Sequence, residues 1–96
     1  MSQPAVFKFR LYIAGDAQNS LEALSNLHEI CDRLVPERHE IEVVDVFQNP
    51  KRALAEGIFL TPILVKIEPA PSRRIVGTLS QTQTVVQALG LPQRAA

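Results

Sequence analysis

The first apolar pattern is an alternating one. Residues 6–13, Val-Phe-Lys-Phe-Arg-Leu-Tyr-Ile, interleave apolar and basic positions and are rich in β-branched and aromatic types, which predicts a strand. Residues 14–18 are polar or small and read as a loop. Asn19 followed by Glu22 has the form of a capping box. Leu21, Leu24, Leu27, Cys31 and Leu34 then recur at helical spacing, predicting an amphipathic helix of about 15 residues that ends before Pro36. Residues 41–46 predict a second strand. Asn49-Pro50 opens a short helix over 50–56, because proline is tolerated in a first helical turn, and Gly57 stops it.

Residues 63–67 predict a third strand after Thr61-Pro62. Pro69-Ala70-Pro71-Ser72 cannot continue it and makes a turn, so a fourth strand at 73–77 forms a hairpin with the third. Ser80 and Gln83 suggest a second capping box, Val85, Val86 and Leu89 the apolar face of a last helix, and Gly90 with Pro92 its end. The predicted order is β-α-β-α-β-β-α over one domain, residues 1–96, with 1–5 and 92–96 frayed. A helix between the first two strands makes them parallel, and the hairpin adds an antiparallel pair. The expected fold class is therefore α/β, a four-stranded mixed sheet with three helices in a thioredoxin-like arrangement.

Composition narrows the function more than the fold. The 96 residues are 46% hydrophobic, and ten Lys+Arg balance ten Asp+Glu, so no net charge draws the chain to nucleic acid or membrane. The charges are nevertheless segregated: residues 1–48 sum to −4 and residues 49–96 to +4. Such a dipole suits a charged protein partner or self-association. One cysteine excludes an internal disulfide, and two histidines with that cysteine argue against a zinc site. The opening residues lack the apolar core of a secretory signal, and the expected setting is cytoplasmic.

Candidate chemistry is sparse. A thioredoxin-like redox enzyme keeps Cys-x-x-Cys at the start of its first long helix, where the helix N-terminus lowers the thiol pKa. This chain has Gly15-Asp16-Ala17-Gln18-Asn19-Ser20 there. Cys31 falls on the apolar stripe and reads as a small buried hydrophobe; a one-cysteine thiol oxidoreductase using it is the enzymatic alternative. His28 is at the edge of that stripe, and His39 reads as a solvated loop residue. No catalytic residue, metal site or cofactor is assigned. Thr61-Pro62 stands where a thioredoxin-like fold places a cis peptide. Lys66, Arg73 and Arg74 form a basic cluster about the proline turn, and arginine's planar fork suits carboxylates on a partner.

Read together, residues 11–15, Asn19-Ser20, Ala23-Leu24, residues 41–46 with Asn49-Pro50, Leu60-Thr61-Pro62, and Pro69-x-Pro71-x-Arg73-Arg74-Ile75-Val76-Gly77-x-Leu79-Ser80 resemble the KaiB family of circadian clock proteins. The resemblance is collinear over roughly residues 7–91. It implies a regulatory, non-enzymatic protein that binds the ATPase ring of KaiC, helps to sequester KaiA and competes with a KaiB-like sensor domain of a histidine kinase. It also implies two folds, a thioredoxin-like monomer and a self-associating dimer or tetramer with a rearranged C-terminal half. Lys66, Arg73 and Arg74 match the family's partner-binding positions. Thr61, Pro62, Pro69, Pro71, Gly77 and Ala88 lie in the segment that differs between the folds. Two departures stand out: Glu22 and Gly57 occupy places where relatives carry basic residues. Ala88 replaces a glycine, which favours helix by about 0.5–1 kcal/mol and so favours the thioredoxin-like form. The remaining alternative is a stand-alone oligomerisation or sensor module feeding a kinase or stress response.

Overall fold

In a computed structural model, which describes residues 5–93, the seven elements follow the predicted order. They are β1 (Phe7–Ile13), α1 (Gln18–Leu34), β2 (His39–Asp45), α2 (Pro50–Ala55), β3 (Ile63–Glu68), β4 (Arg73–Val76) and α3 (Thr82–Leu89). The sheet order is β2-β1-β3-β4. β2 runs parallel to β1, β3 antiparallel to β1, and β4 antiparallel to β3. The C-terminal half thus takes the thioredoxin-like arrangement and not the rearranged alternative. The fraying expected at 1–5 and 92–96 falls mostly outside the described residues.

Strand alternation splits the sheet into two faces with separate cores. Phe7, Phe9 and Leu11 of β1 and Leu64 of β3 pack against Ala23, Leu27, Ile30 and Cys31 of α1 and Val85, Val86 and Leu89 of α3. On the other face Tyr12, Val44 and Ile63 pack under Ala53 of α2 and Ile58 just beyond it. Two glycines end helices in the same way. At Gly57 (φ 69°) the amide donates to Leu54 O while that of Ile58 donates to Ala53 O. At Gly90 (φ 66°) the bonds run to Gln87 O and, from Leu91, to Val86 O. This paired pattern needs a left-handed residue, which glycine supplies without a Cβ clash.

Several local expectations fail for identifiable reasons. α1 begins at Gln18, before Asn19, and neither predicted capping box makes its side-chain bond. Ser20 takes the inward position, where its Oγ accepts the Ala14 amide at 3.1 Å. That sets the phase of the helix, and Leu21, about 100° further round, is left 52% exposed while Ile30 is buried instead. His39 is no loop residue: it opens β2, half-buried, and its Nδ1–H donates to Val35 O at 2.7 Å.

The second core holds one unsatisfied group. Tyr12 is fully buried and its hydroxyl makes no hydrogen bond of good geometry among the described residues, although the Arg10 guanidinium lies close enough to act on it. An unmade buried hydrogen bond costs about 1–3 kcal/mol. Tyr12→Phe is therefore expected to raise stability by about 1 kcal/mol, read as a higher urea midpoint at unchanged slope. A drop of similar size would mean that the hydroxyl is bonded in solution.

Candidate partner-binding surface

The positions that a redox enzyme would use carry no thiol here. β1 ends in the loop of residues 14–17, which Asp45 ties down: its Oδ1 accepts the amides of Gly15 at 3.1 Å and Phe47 at 2.9 Å. Cys31 is fully buried, and burial pushes its thiol up to about 12, with Asp32 adding to the effect. At neutral pH such a thiol stays protonated and enclosed, so it supplies no nucleophile. Among the described residues, no three His, Cys, Asp or Glu side chains gather as a metal site requires.

What the fold does assemble is a row of charge across the sheet on the α2 side. Glu42 of β2, Arg10 of β1, Val65 of β3 and Arg74 of β4 are successive partners in register, so all four share one face. α2 completes the row. Arg10 Nε donates to Glu42 Oε1 at 2.8 Å and Arg52 Nη2 to the same oxygen at 2.7 Å. Arg10 Nη1 reaches Glu56 Oε1 at 3.3 Å, and Arg74 Nη2 donates to the Glu56 carbonyl at 2.9 Å. The β4 hairpin is thereby fixed to the end of α2. Bonds from the Arg52 and Arg10 side chains hold the Glu42 carboxyl down at about 2.

The linkage follows from that direction. A carboxyl depressed in the folded state stabilises it above the ordinary value of 4.5 and loses the effect as pH falls toward 2. The Glu42 side chain is 46% exposed, so screening holds the contribution to about 1 kcal/mol or less. Glu42→Gln is expected to lower stability slightly at pH 7, with the gap to wild type closing between pH 4.5 and 2. Urea titrations at pH 7 and pH 2.5 check this, and an equal gap at both would contradict it.

The predicted basic trio divides. Arg73 and Arg74 are exposed on β4. Lys66 is only 4% exposed. It follows Leu64 by two residues and so shares the core face, where its Nζ donates to Leu89 O at 3.0 Å. It caps the C-terminal end of α3, a favourable place for a cation, although burial still lowers its pKa and nearby Arg73 adds to that. Of the fold-segment positions, Pro62 is buried after a cis Thr61–Pro62 peptide, and its carbonyl accepts the Gly77 amide at 2.9 Å. The bonds before Pro69 and Pro71 are also cis. Ala88 is an exposed residue of α3. Glu22 is exposed on the first turns of α1, and Gly57 faces open space after α2.

Sequence reasoning missed the apolar part of this surface. Leu54 is 68% exposed, Phe59 83% and Leu60 63%, all within five residues of Glu56, where Arg74 is anchored. The run Ile58-Phe59-Leu60 carries the only signal: three large apolar residues lie outside any element, and only Ile58 is absorbed by the core. Exposed apolar side chains beside arginines are a common composition for an interface.

Comparison with known proteins bears on the family and the fold. The KaiB domain family model matches residues 10–91. The circadian clock protein KaiB3 of Synechocystis is 38% identical over 82 residues, spanning 85% of this chain and 80% of that protein. A circadian clock oscillator protein KaiB of Prochlorococcus marinus is 40% identical over 91 residues, 95% of this chain and 76% of that one. Among solved structures, the N-terminal domain of Synechococcus elongatus SasA superposes with a TM-score of 0.73 at 18% identity, covering all of this chain and 93% of that one. Chloroplastic thioredoxin z superposes at 0.72 with 20% identity, covering 88% and 79%. These two likenesses establish the thioredoxin-like fold.

Proposed function

The chain belongs to the KaiB family, and on that premise we propose that it is a non-enzymatic regulatory protein that binds the ATPase ring of a KaiC-type partner in a timing system. The observation that carries this reading is the surface at the end of α2. There Arg74 of the edge strand β4, bonded to the Glu56 carbonyl, lies near exposed Leu54, Phe59 and Leu60, while Arg73, exposed on the same strand and paired in register with Lys66, faces the other side of the sheet. Arginine forks would bind carboxylates on the ring, and the apolar residues would supply the desolvated anchor that gives an interface most of its energy. Lys66, matched by family resemblance to the contact set, instead holds α3 and leaves the contact to the two arginines. The buried, protonated Cys31 supports a role without thiol chemistry. A KaiA-type protein and the KaiB-like sensor domain of a histidine kinase are the further partners of this reading, in a cytoplasmic setting.

Size-exclusion chromatography with light scattering tests it. The protein is incubated with a KaiC-type ring and nucleotide, then compared with each component alone. A new species of ring mass plus bound copies is expected. Two separate peaks after prolonged incubation would overturn the reading.

A further inference from the structure

The strand order places opposite charges on opposite edges of the sheet. β2 is one edge and carries Glu40 and Glu42; β4 is the other and carries Arg73 and Arg74. The halves of the chain to which these strands belong sum to −4 and +4. Each edge strand pairs on one side only among the described residues, which leaves a row of backbone donors and acceptors open. We propose that the β4 edge of one copy adds to the β2 edge of a second copy, extending the sheet head to tail.

The directions and registers allow it. β2 is parallel to β1, and β3 is antiparallel to both β1 and β4, so β4 runs the same way as β2. A copy displaced sideways across the sheet therefore presents β2 parallel to β4 with the α2 faces aligned. With Arg74 opposite Glu42, Ile75 falls opposite Val43 and Val76 opposite Val44, while Glu40 lies diagonally from Arg74. Val43 and Val76 are 41% and 54% exposed, so the contact removes apolar surface from water. Both bonds that Glu42 receives within its own chain land on Oε1, and Oε2 keeps its acceptor capacity.

The alternatives are disfavoured by charge. β2 on β2 sets glutamates against glutamates, and β4 on β4 sets arginines against arginines. Each edge repels its own kind and attracts the other, so the contact is heterologous and does not close. It is four residues long, hence weak and salt-sensitive. Because Arg74 also belongs to the proposed ring-binding surface, self-association and ring binding compete, but the association itself requires no ring.

Sedimentation velocity over a concentration series tests it, at low salt and at about 0.5 M salt, where charges are screened within a few Å. Wild type is expected to gain mass steadily with concentration at low salt and to return to monomer at high salt. Arg74→Glu, with two acidic edges, and Glu40→Lys, with a weakened acidic edge, each associate less. Their equimolar mixture restores one contact, because the unchanged β4 of Glu40→Lys meets the unchanged β2 of Arg74→Glu, and a species of dimer mass is expected. Circular dichroism establishes that both variants are folded. Wild type that stays monomeric at every concentration in low salt overturns the proposal. So does a wild-type mass that levels off at a dimer, or a mixture of folded variants no larger than its components.

Discussion

Reversing both arginines of β4, Arg73→Glu with Arg74→Glu, is expected to weaken binding to a KaiC-type ring by about 100-fold or more while leaving the fold intact. Like charges brought together at an interface cost several kcal/mol, and about 2.7 kcal/mol already corresponds to 100-fold. Both residues are exposed, and among the described residues the ties that the change breaks are those of Arg74 to Glu56 and of Arg73 to the Ser72 carbonyl. Surface substitutions of this kind usually move stability by about 0.5 kcal/mol, so the two effects separate. Titration calorimetry reads the affinity and urea unfolding the stability. Unchanged affinity in a folded double variant would remove β4 from the proposed contact.

Leu89→Ala is expected to destabilise the protein by about 2–5 kcal/mol, the range for emptying a buried leucine site. Leu89 is fully buried in the larger core, and its carbonyl receives the Lys66 ammonium. α3 has only eight residues, too few for independent helical stability. It is held by Val85, Val86 and Leu89 below, by the Lys66 cap, and by Leu91 folded under Gly90. Removing the central leucine loosens all of these together. For a chain this size, 1 kcal/mol shifts Tm by about 4–8 °C, so a fall of about 10 °C or more is the expected reading. A loss under about 1 kcal/mol would mean that α3 contributes little to the folded state.

Both predictions draw on parts of the fold that differ in how openly the sequence announces them. Element order was legible because the patterns are distinct: weak alternation at 6–13, a short apolar run at 63–67 bounded by prolines, and recurrence every three to four residues from 21 to 34. Phase was less legible. One polar residue, Ser20, turned inward to take the Ala14 amide and rotated Leu21 out, and no apolar pattern encodes that bond. Lys66 was readable in principle, since a residue two places after Leu64 must share its face. Its charge pointed to the surface, while the carbonyl of Leu89 gave it a partner inside. The charged row across Glu42, Arg10 and Arg74 depends on strand register, which pairs residues 32 and more positions apart. Phe59 and Leu60 are of types usually found in cores. They are left outside, and of the run 58–60 only Ile58 joins the cluster of Tyr12, Val44, Ala53 and Ile63.

The end of α2, its following loop and β4 form the surface proposed to contact the ring. Hydrogen exchange of the chain, free and bound to a KaiC-type ring, tests that most directly. Slowed exchange in residues 50–62 and 73–76, with α1 unchanged, is the predicted footprint. Protection confined to α1 and α3, with residues 50–62 exchanging as in the free protein, would contradict it.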